Sequence, residues 1–506
     1  MKKIILITAF IINIMNTYAQ VTKQWEHKYE YFGMSWGNGV DFVINNLNEP
    51  VVFGQQYGWE ETPIAHLYKL NPQTGAVIWD RTPSYSKGQF IFCDFSNNIY
   101  VCGIRKDGWD WTIPFLTKYN NLGNQVFYKS DPTDVYGPLY SACFDGKANT
   151  YMLKKYLYWV KTTKYDSSGN IAWTNYYSRA DTSGPGNISM NPATNEIIQN
   201  GYYRKNNRYN IFFQKIDSNG NTTDTAGLNI NSLYIIDFHK LSIDNNSNII
   251  LSGKFTTLSS QIATFIYKLS PEFDTLWGKT ILSSHQNMGS CLNVQNDGSI
   301  IINNENGLLK YDPQGNVLWS TPSGKYNCII TGNNNYIYAC GSSPGNKYLT
   351  TKLDQTGAEI WSITEDFSSY SFNKLLSVKT DNLNNVYVHG TGSSSPASAI
   401  STIKYSDLTP INSHSGNVPL KHELEQNYPN PFNPSTKIRF SLPDKTRAIL
   451  RIFDIKGTEL LKVSYNILNP GRYEFLWNAG NYSSGIYFVR LETDSYSDTR
   501  KMILLK

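Results

Sequence analysis

Lys310-Tyr-Asp-Pro-Gln-Gly-Asn-Val-Leu-Trp319 is the stretch whose reading decides the fold. It reads as the end of one strand, a tight turn over residues 312–316, and the start of the next strand. Asp caps its own backbone, Pro presets φ, and Gly supplies φ > 0 without steric cost. The pattern recurs as Lys352-Leu-Asp-Gln-Thr-Gly-Ala-Glu-Ile-Trp361, Lys164-Tyr-Asp-Ser-Ser-Gly-Asn-Ile-Ala-Trp173 and Lys69-Leu-Asn-Pro-Gln-Thr-Gly-Ala-Val-Ile-Trp79. Looser copies begin at Lys118, Lys215, Lys268 and Lys404. Successive lysines are separated by 42 residues (310 to 352) to 53 residues (215 to 268). That period fits one four-stranded propeller blade.

Each period holds four pieces, A to D. Strand A is apolar and ends near Asp or Asn, as in Phe90-Ile-Phe-Cys-Asp94. Strand B ends in Gly, as in Asn98-Ile-Tyr-Val-Cys-Gly103 and Asn385-Val-Tyr-Val-His-Gly390. Strand C carries the Lys and strand D an aromatic, usually Trp. Strands B and C each occur eight times, the last C being Ile403-Lys404-Tyr405, after which no D follows. A lone D-like strand, Lys23-Gln-Trp-Glu-His-Lys-Tyr29, stands near the N-terminus. Placed beside the last strand C, it leaves no edge unpaired. The expectation is an all-β chain with an eight-bladed β-propeller over residues 20–406. Seven blades is the alternative, because the repeat from Lys215 has no clear Trp.

Composition agrees with this class. Of 506 residues, 14% are aromatic and only 17% charged, the profile of short strands and polar turns. The net charge of +5 is local. Lys2 and Lys3 give +2, and residues 423–506, with 12 Lys/Arg against 9 Asp/Glu, give +3. The other 31 and 31 charges cancel, so the body lacks the footprint that phosphate backbones require. Nucleic acid is excluded as an expected partner.

Residues 1–19 follow the signal-peptide plan: a basic start, an apolar run over residues 4–14, and small residues before a cut between Ala19 and Gln20. The run is too short to span a bilayer, and no later transmembrane segment is expected.

The repeats resemble two families, over about 385 residues. One is the bacterial β-propeller repeat proteins, with Asp-x-x-Gly-Asn-x-Tyr-x-x-Gly-like and Lys-x-Asp-x-x-Gly-x-x-x-Trp-like segments. The other is the quinoprotein-like propellers, through Thr74-Gly75…Trp79 and Thr356-Gly357…Trp361. Quinoprotein dehydrogenases typically carry adjacent cysteines at their quinone cofactor. No two cysteines are adjacent here, so no cofactor is expected.

Residues 412–422 read as part of a polar linker assigned to 407–422, and residues 423–506 as a small immunoglobulin-like β-sandwich. Strands are expected at Ala448–Asp454, Tyr473–Trp477, Gly485–Leu491 and Lys501–Leu505, with turns at Gly457 and Gly485. Here Asn427-Tyr428-Pro429-Asn430-Pro431-Phe432-Asn433-Pro434, Phe453-Asp-Ile-x-Gly457, Ser484-Gly-Ile-Tyr487-Phe and the terminal Lys501-Met-Ile-Leu-Leu-Lys506 resemble the type A C-terminal sorting domain of type IX secretion. The resemblance implies a Bacteroidota-type cell, passage through the periplasm, engagement of the type IX machinery, and a secreted or surface-displayed product.

Chemistry-bearing motifs are sparse. The histidines have no ligand spacing, so no metal is expected. No nucleophile elbow or phosphate loop stands out, and no catalytic residue is assigned. Cys93 is expected to face Tyr100, with Cys102 diagonally beyond, poor geometry for a bridge. The six cysteines read as small core residues, with disulfides permitted by export. One asymmetry remains. B–C and D–A loops share one propeller face, and the early ones are aromatic and charged: Trp36, Trp59, Arg105, Trp109, Trp111, Tyr156, Tyr158, Trp159, Tyr202, Tyr203, Arg204 and Arg208. Aromatic platforms beside polar groups suit sugar rings or peptides. Packing of these loops onto the blades is the bland alternative. The leading functional expectation is a non-catalytic binding or adhesion scaffold. The alternative is a polysaccharide-active enzyme with carboxylates gathered from separate blades.

Overall fold

A computed structural model describes residues 22–32, 36–57, 63–83, 86–107, 111–130, 137–179, 182–282, 291–304, 307–321, 324–343, 346–365, 372–394, 397–406, 419–468, 470–479 and 482–505. Every regular element among them is a strand. The expected signal segment, with Ala19 and Gln20, and linker residues 407–418 lie outside the described residues. Two compact units emerge, one being Lys23–Ser406 and the other holding residues 419–505.

In the first unit, the described residues form eight four-stranded antiparallel sheets. Seven are meanders of consecutive strands, from Trp36–Ile44 through Val77–Arg81 in the first to Lys325–Thr331 through Glu359–Glu365 in the seventh. The eighth takes Phe372–Thr380, Val386–Ser394 and Ala397–Ser406, and its outer strand is the N-terminal Thr22–Phe32. The first strand of each sheet contacts the first strand of the next, and Phe372–Thr380 contacts Trp36–Ile44. The sheets therefore make a closed circuit, consistent with a β-propeller.

The repeated motifs have local causes. In the A–B turn at Asp94, one carboxylate oxygen accepts the Ser96 and Asn98 amides at 2.9 and 2.8 Å. The other accepts from the Asn98 side chain at 2.8 Å and the Tyr100 hydroxyl at 3.3 Å. Asp145 with Asn149 and Tyr151, and Asp381 with Asn385 and Tyr387, repeat the set. So Asp, Asn four later and Tyr six later form one hydrogen-bonded unit. The glycine late in strand B answers a bulge. Strand A shifts register between Tyr326 and Cys328 and between Leu375 and Ser377. A Cβ on Gly341 would sit 1.8 Å from the Lys325 carbonyl oxygen, and one on Gly390 2.4 Å from that of Lys374.

Sheet-to-sheet contacts explain the opening motif. Asp312 accepts the Gln314 and Asn316 amides and the Asn316 side chain, and Gly315 takes φ 86°. The Trp277 ring of the preceding sheet lies against that glycine, 2.8 Å from where a Cβ would stand, and its indole donates to the Pro313 carbonyl at 2.9 Å. Trp79 does the same to Gly123 and Asn121, Trp173 to Gly220 and Ser218, and Trp319 to Gly357 and Gln355. Trp25, from the N-terminal strand, does it to Gly75 and Pro72 of the first sheet. The strand C lysine reaches the same turns. Lys69 donates to the Asn121 carbonyl at 2.9 Å and Lys404 to that of Pro72 at 2.7 Å. Apolar clusters fill the space between neighbouring sheets, such as Phe53, Leu67, Val101 and Phe115 between the first two.

The repeat from Lys215, with no aromatic opposite the strand C lysine, is a complete sheet, Thr182–Met190 to Thr222–Ser232. Asp224 holds the Trp position, paired to Lys215. The next turn answers with Phe273 at φ 67° in place of glycine. Its ring stacks on Phe213 at 5.5 Å and lies 5.1 Å from the Lys215 ammonium. The aromatic thus comes from the opposite side of the interface.

The second unit has a three-stranded sheet (Glu423–Leu424, Ser435–Leu442, Gly471–Asn478) and a four-stranded one (Glu459–Leu468, Thr446–Asp454, Gly485–Thr493, Ser497–Leu504). Strands Glu423–Leu424, Ser435–Leu442 and Glu459–Leu468 are additions to the expected set, and Gly457, in the expected turn, takes a positive φ of 81°. The Asn-Pro-rich segment is built in. Asn427 is buried and bonds Thr436 at 2.9 Å, Asn430 accepts the Ile503 amide at 2.8 Å, and the Phe432 amide donates to the Ile503 carbonyl. Phe432 and Tyr487 both pack on the buried Trp477 ring, at 5.4 Å.

Two substitutions test the tryptophan–glycine contact. Trp79→Ala is expected to lower unfolding free energy by about 3–5 kcal/mol, and Gly123→Ala by about 1–3 kcal/mol, read from urea unfolding of the full chain. In the Trp79→Ala background, Gly123→Ala should cost less, because no ring remains for the new methyl to strike. Strictly additive effects would show that the two residues do not meet.

Candidate functional site

The expected aromatic face divides when placed on the strands. Trp59 and Trp109 lie outside the described residues. Trp36 and Trp111 open strands Trp36–Ile44 and Trp111–Tyr119, pairing in register with Tyr57 and Asp107. Arg105 is half-buried, and its positive charge opposes the burial that pushes the Tyr128 phenol up. Tyr203 departs from the expectation of an exposed loop: it is 4% exposed on Ile197–Lys205. Its hydroxyl donates to Asn229 at 3.3 Å, and the Arg179 guanidinium lies 5.2 Å from its ring. Tyr202 is buried beside it. The hairpin turn falls later than expected, at Asn206 and Asn207, both with positive φ, so Tyr202 and Tyr203 belong to the strand. Arg208 follows that turn, half-buried.

The third sheet keeps a surface aromatic group. Thr150–Tyr156 and Trp159–Tyr165 pair up to Tyr156 opposite Trp159, leaving Leu157 and Tyr158 as a two-residue turn. Leu157 takes φ 55°. Tyr158 is 67% exposed, Trp159 46% and Tyr176 47%. Tyr156 meets Tyr176 edge-on at 5.6 Å. The Lys161 ammonium lies 5.6 Å from the Tyr156 ring and 5.7 Å from the Tyr176 ring. Lys161 faces Lys154 on one strand and Tyr176 on the other. Lys154, 5.9 Å from the Tyr156 ring, and Lys161 attract these rings by about 0.5–2 kcal/mol each, and Tyr158 and Trp159 remain exposed to solvent.

A second opening is lined by the inner strands. Phe144, Ile188, Met190, Ile243, Leu292 and Val294 are among the walls of a cavity of about 820 Å³. Among the described residues, no three His, Cys, Asp or Glu side chains converge to hold a metal.

Titratable groups collect where the eighth sheet meets the first: His66 and His389 are buried, His27 is half-buried and Asp80 is exposed. His27 on the N-terminal strand lies 5.3 Å from the Tyr68 ring, and His66 lies 4.7 Å from Tyr29. Burial pushes both imidazoles down, against the opposing pull of Asp80. Desolvation also pushes Asp80 up. His389, fully buried, bonds Thr402 at 3.2 Å. Desolvation depresses it to about 4, with Asp41 opposing and Lys379 assisting. The three histidines lie in the sheet-to-sheet seam, so their titration acts on folding.

Comparison with known proteins then bears on the second unit. A family model for a secretion system C-terminal sorting domain matches residues 426–505. No curated protein matches. Solved structures with some likeness include a protein of unknown function from Bacteroides caccae, at 10% identity and TM-score 0.30, covering 45% of this chain and 78% of that one. A eukaryotic initiation factor matches at 8% identity and TM-score 0.38, covering 86% and 90%. Quinohemoprotein alcohol dehydrogenase from Comamonas testosteroni matches at 10% identity and TM-score 0.35, covering 81% and 79%. The reading of the first unit rests on its sheet pairing.

The seam predicts acid sensitivity. A histidine whose folded pKa lies below its unfolded value binds fewer protons when folded. Its contribution is therefore intact above pH about 6.5 and is lost as pH falls toward 4. For His389 alone the loss at pH 5 relative to pH 7.5 is about 2 kcal/mol. His389→Gln should flatten the fall in urea midpoint between pH 7.5 and 5 relative to the parent chain. An unchanged slope would place the acid-sensitive group elsewhere.

Proposed function

We propose, for a chain whose residues 426–505 are a type IX secretion sorting domain, that the strands ahead of it form an eight-bladed β-propeller acting as a non-catalytic binding scaffold outside the cell. The sorting domain directs export through the type IX system, to the cell surface or into the medium, and engages the secretion machinery. In this reading residues 1–19 are a signal peptide cut between Ala19 and Gln20. The propeller occupies 20–406, the linker 407–422, and an immunoglobulin-like sandwich 423–506. The eight sheets and the contact from the eighth back to the first support the blade number.

The observation that carries the binding role is the exposed hairpin of the third sheet. Tyr158, Trp159 and Tyr176 present large apolar rings to solvent, with the buried Lys161 ammonium 5.7 Å from the Tyr176 ring. Burying such rings in the core would have been the favoured outcome for aromatic side chains. Exposed aromatic rings suit the CH faces of a sugar ring. Trp36, Trp59, Arg105, Trp109, Trp111 and Arg208 belong to the same loop face in this proposal.

A glycan array probed with the full chain tests it, scored for retention and for cleavage. Retention without cleavage, reduced at least about tenfold by Trp159→Ala with little change in melting temperature, is the expected result, since a side chain this exposed contributes little to folding. Cleavage would make the protein a polysaccharide-active enzyme. Retention unaffected by Trp159→Ala and Tyr158→Ala together would remove the hairpin from the site.

A further inference from the structure

The seventh sheet sets two cysteines face to face. Cys328 on Lys325–Thr331 and Cys340 on Ile337–Ser343 are direct cross-strand partners, and their side chains hydrogen-bond each other. Facing residues of an antiparallel ladder have Cα atoms about 4.5–5.5 Å apart, within the span a disulfide bridges. The second sheet makes the contrast. There Cys93 faces Ile99, not Tyr100 as the sequence suggests, and Cys102 faces Phe90. Both sheets have a cysteine on each of their first two strands. Only in the seventh are the two equally far from the turn, four residues before Gly332 and four after Tyr336.

We infer that Cys328 and Cys340 are joined by a disulfide in the exported protein, formed by thiol–disulfide exchange with a disulfide-bearing oxidant met along the export route. The Cys328 thiolate attacks one sulfur of the oxidant's disulfide. That bond breaks, one oxidant thiolate leaves, and a mixed disulfide forms on Cys328. The Cys340 sulfur then attacks Cys328, expelling the second oxidant thiolate. Two protein thiols lose two electrons and two protons, and the oxidant is reduced to two thiols.

The surroundings fit this order of events. The hydrogen bond from Cys340 pulls the Cys328 thiol down to about 6, with Lys379 assisting. Burial pushes Cys340 up. Cys328 is half-buried and Cys340 fully buried, so the more exposed residue of the pair is also the one poised to react. The route that residues 426–505 specify leads out of the reducing cytoplasm, where a bridge once formed persists.

Trypsin provides the test, because both pairs fall on single peptides. No Lys or Arg lies between Lys325 and Lys347, nor between Lys87 and Arg105. The folded full chain is incubated with oxidised glutathione, unfolded, alkylated without reduction, and digested. The inference expects peptide 326–347 to be unalkylated and about two mass units lighter than its dithiol form, taking two alkyl groups after reduction. Peptide 88–105, the internal control, should carry two alkyl groups throughout. Two alkyl groups on 326–347 without reduction would overturn the inference. So would a glutathione adduct that never closes, or equal oxidation of both peptides.

Discussion

One contact recurs around the first unit: an indole laid flat on a glycine of the next sheet's turn, with its N–H bonded to a carbonyl two residues earlier in most copies. The turn must present a residue with φ > 0 and no Cβ, because any side chain there would occupy the ring's position. The preceding sheet must supply a flat group with one donor on its edge. Each half is meaningless within its own sheet. Together they set the distance and angle between neighbours, so the repeat is held by nearest-neighbour terms. The lysine of strand C adds a second bond to the same turn, its ammonium donating to a carbonyl there, and buried Lys69 is paired with Glu49 as well.

This arrangement explains why the circuit closes where the chain does not. The eighth sheet has its third strand, Ala397–Ser406, and Lys404, yet its fourth strand comes from the other end of the described residues. Trp25 on that strand meets Gly75 as the other tryptophans meet theirs. The seventh sheet's Trp361 has no continuous C–D turn to rest on, and packs near Tyr338 and Tyr405. The seam is thus irregular on one side and regular on the other. His27, His66 and His389 lie on the regular side, where the eighth sheet meets the first.

Much of the fold was legible because the repeat copies its turn chemistry. Asp, Gly, Lys and Trp at fixed offsets report the turn, the strand pair and the neighbour at once. The repeat from Lys215 was ambiguous in sequence because its interface swaps sides: Asp224 replaces the ring and Phe273 replaces the glycine. That exchange spans two repeats and 49 residues (224 to 273), so it is invisible in either repeat alone. The binding face was less legible. Tyr203 and Trp159 sit in similar aromatic runs, but a two-residue turn falls at different points. In one hairpin it leaves Trp159 beside the turn, and in the other it draws Tyr203 into the strand. The facing of Cys328 and Cys340 likewise depends on counting from the turn, which composition and cysteine spacing do not supply.

Hydrogen exchange at the seam tests the central claim most directly. If strand Thr22–Phe32 completes the eighth sheet, amides of residues 397–406 should be as protected as those of the interior strand Ile262–Leu269. Trp25→Ala should then speed exchange in 397–406 and, simultaneously, in the turn at residues 71–76. Rapid exchange of 397–406 in the parent chain, or an effect of Trp25→Ala confined to one of the two segments, would contradict a circuit fastened by tryptophan on glycine.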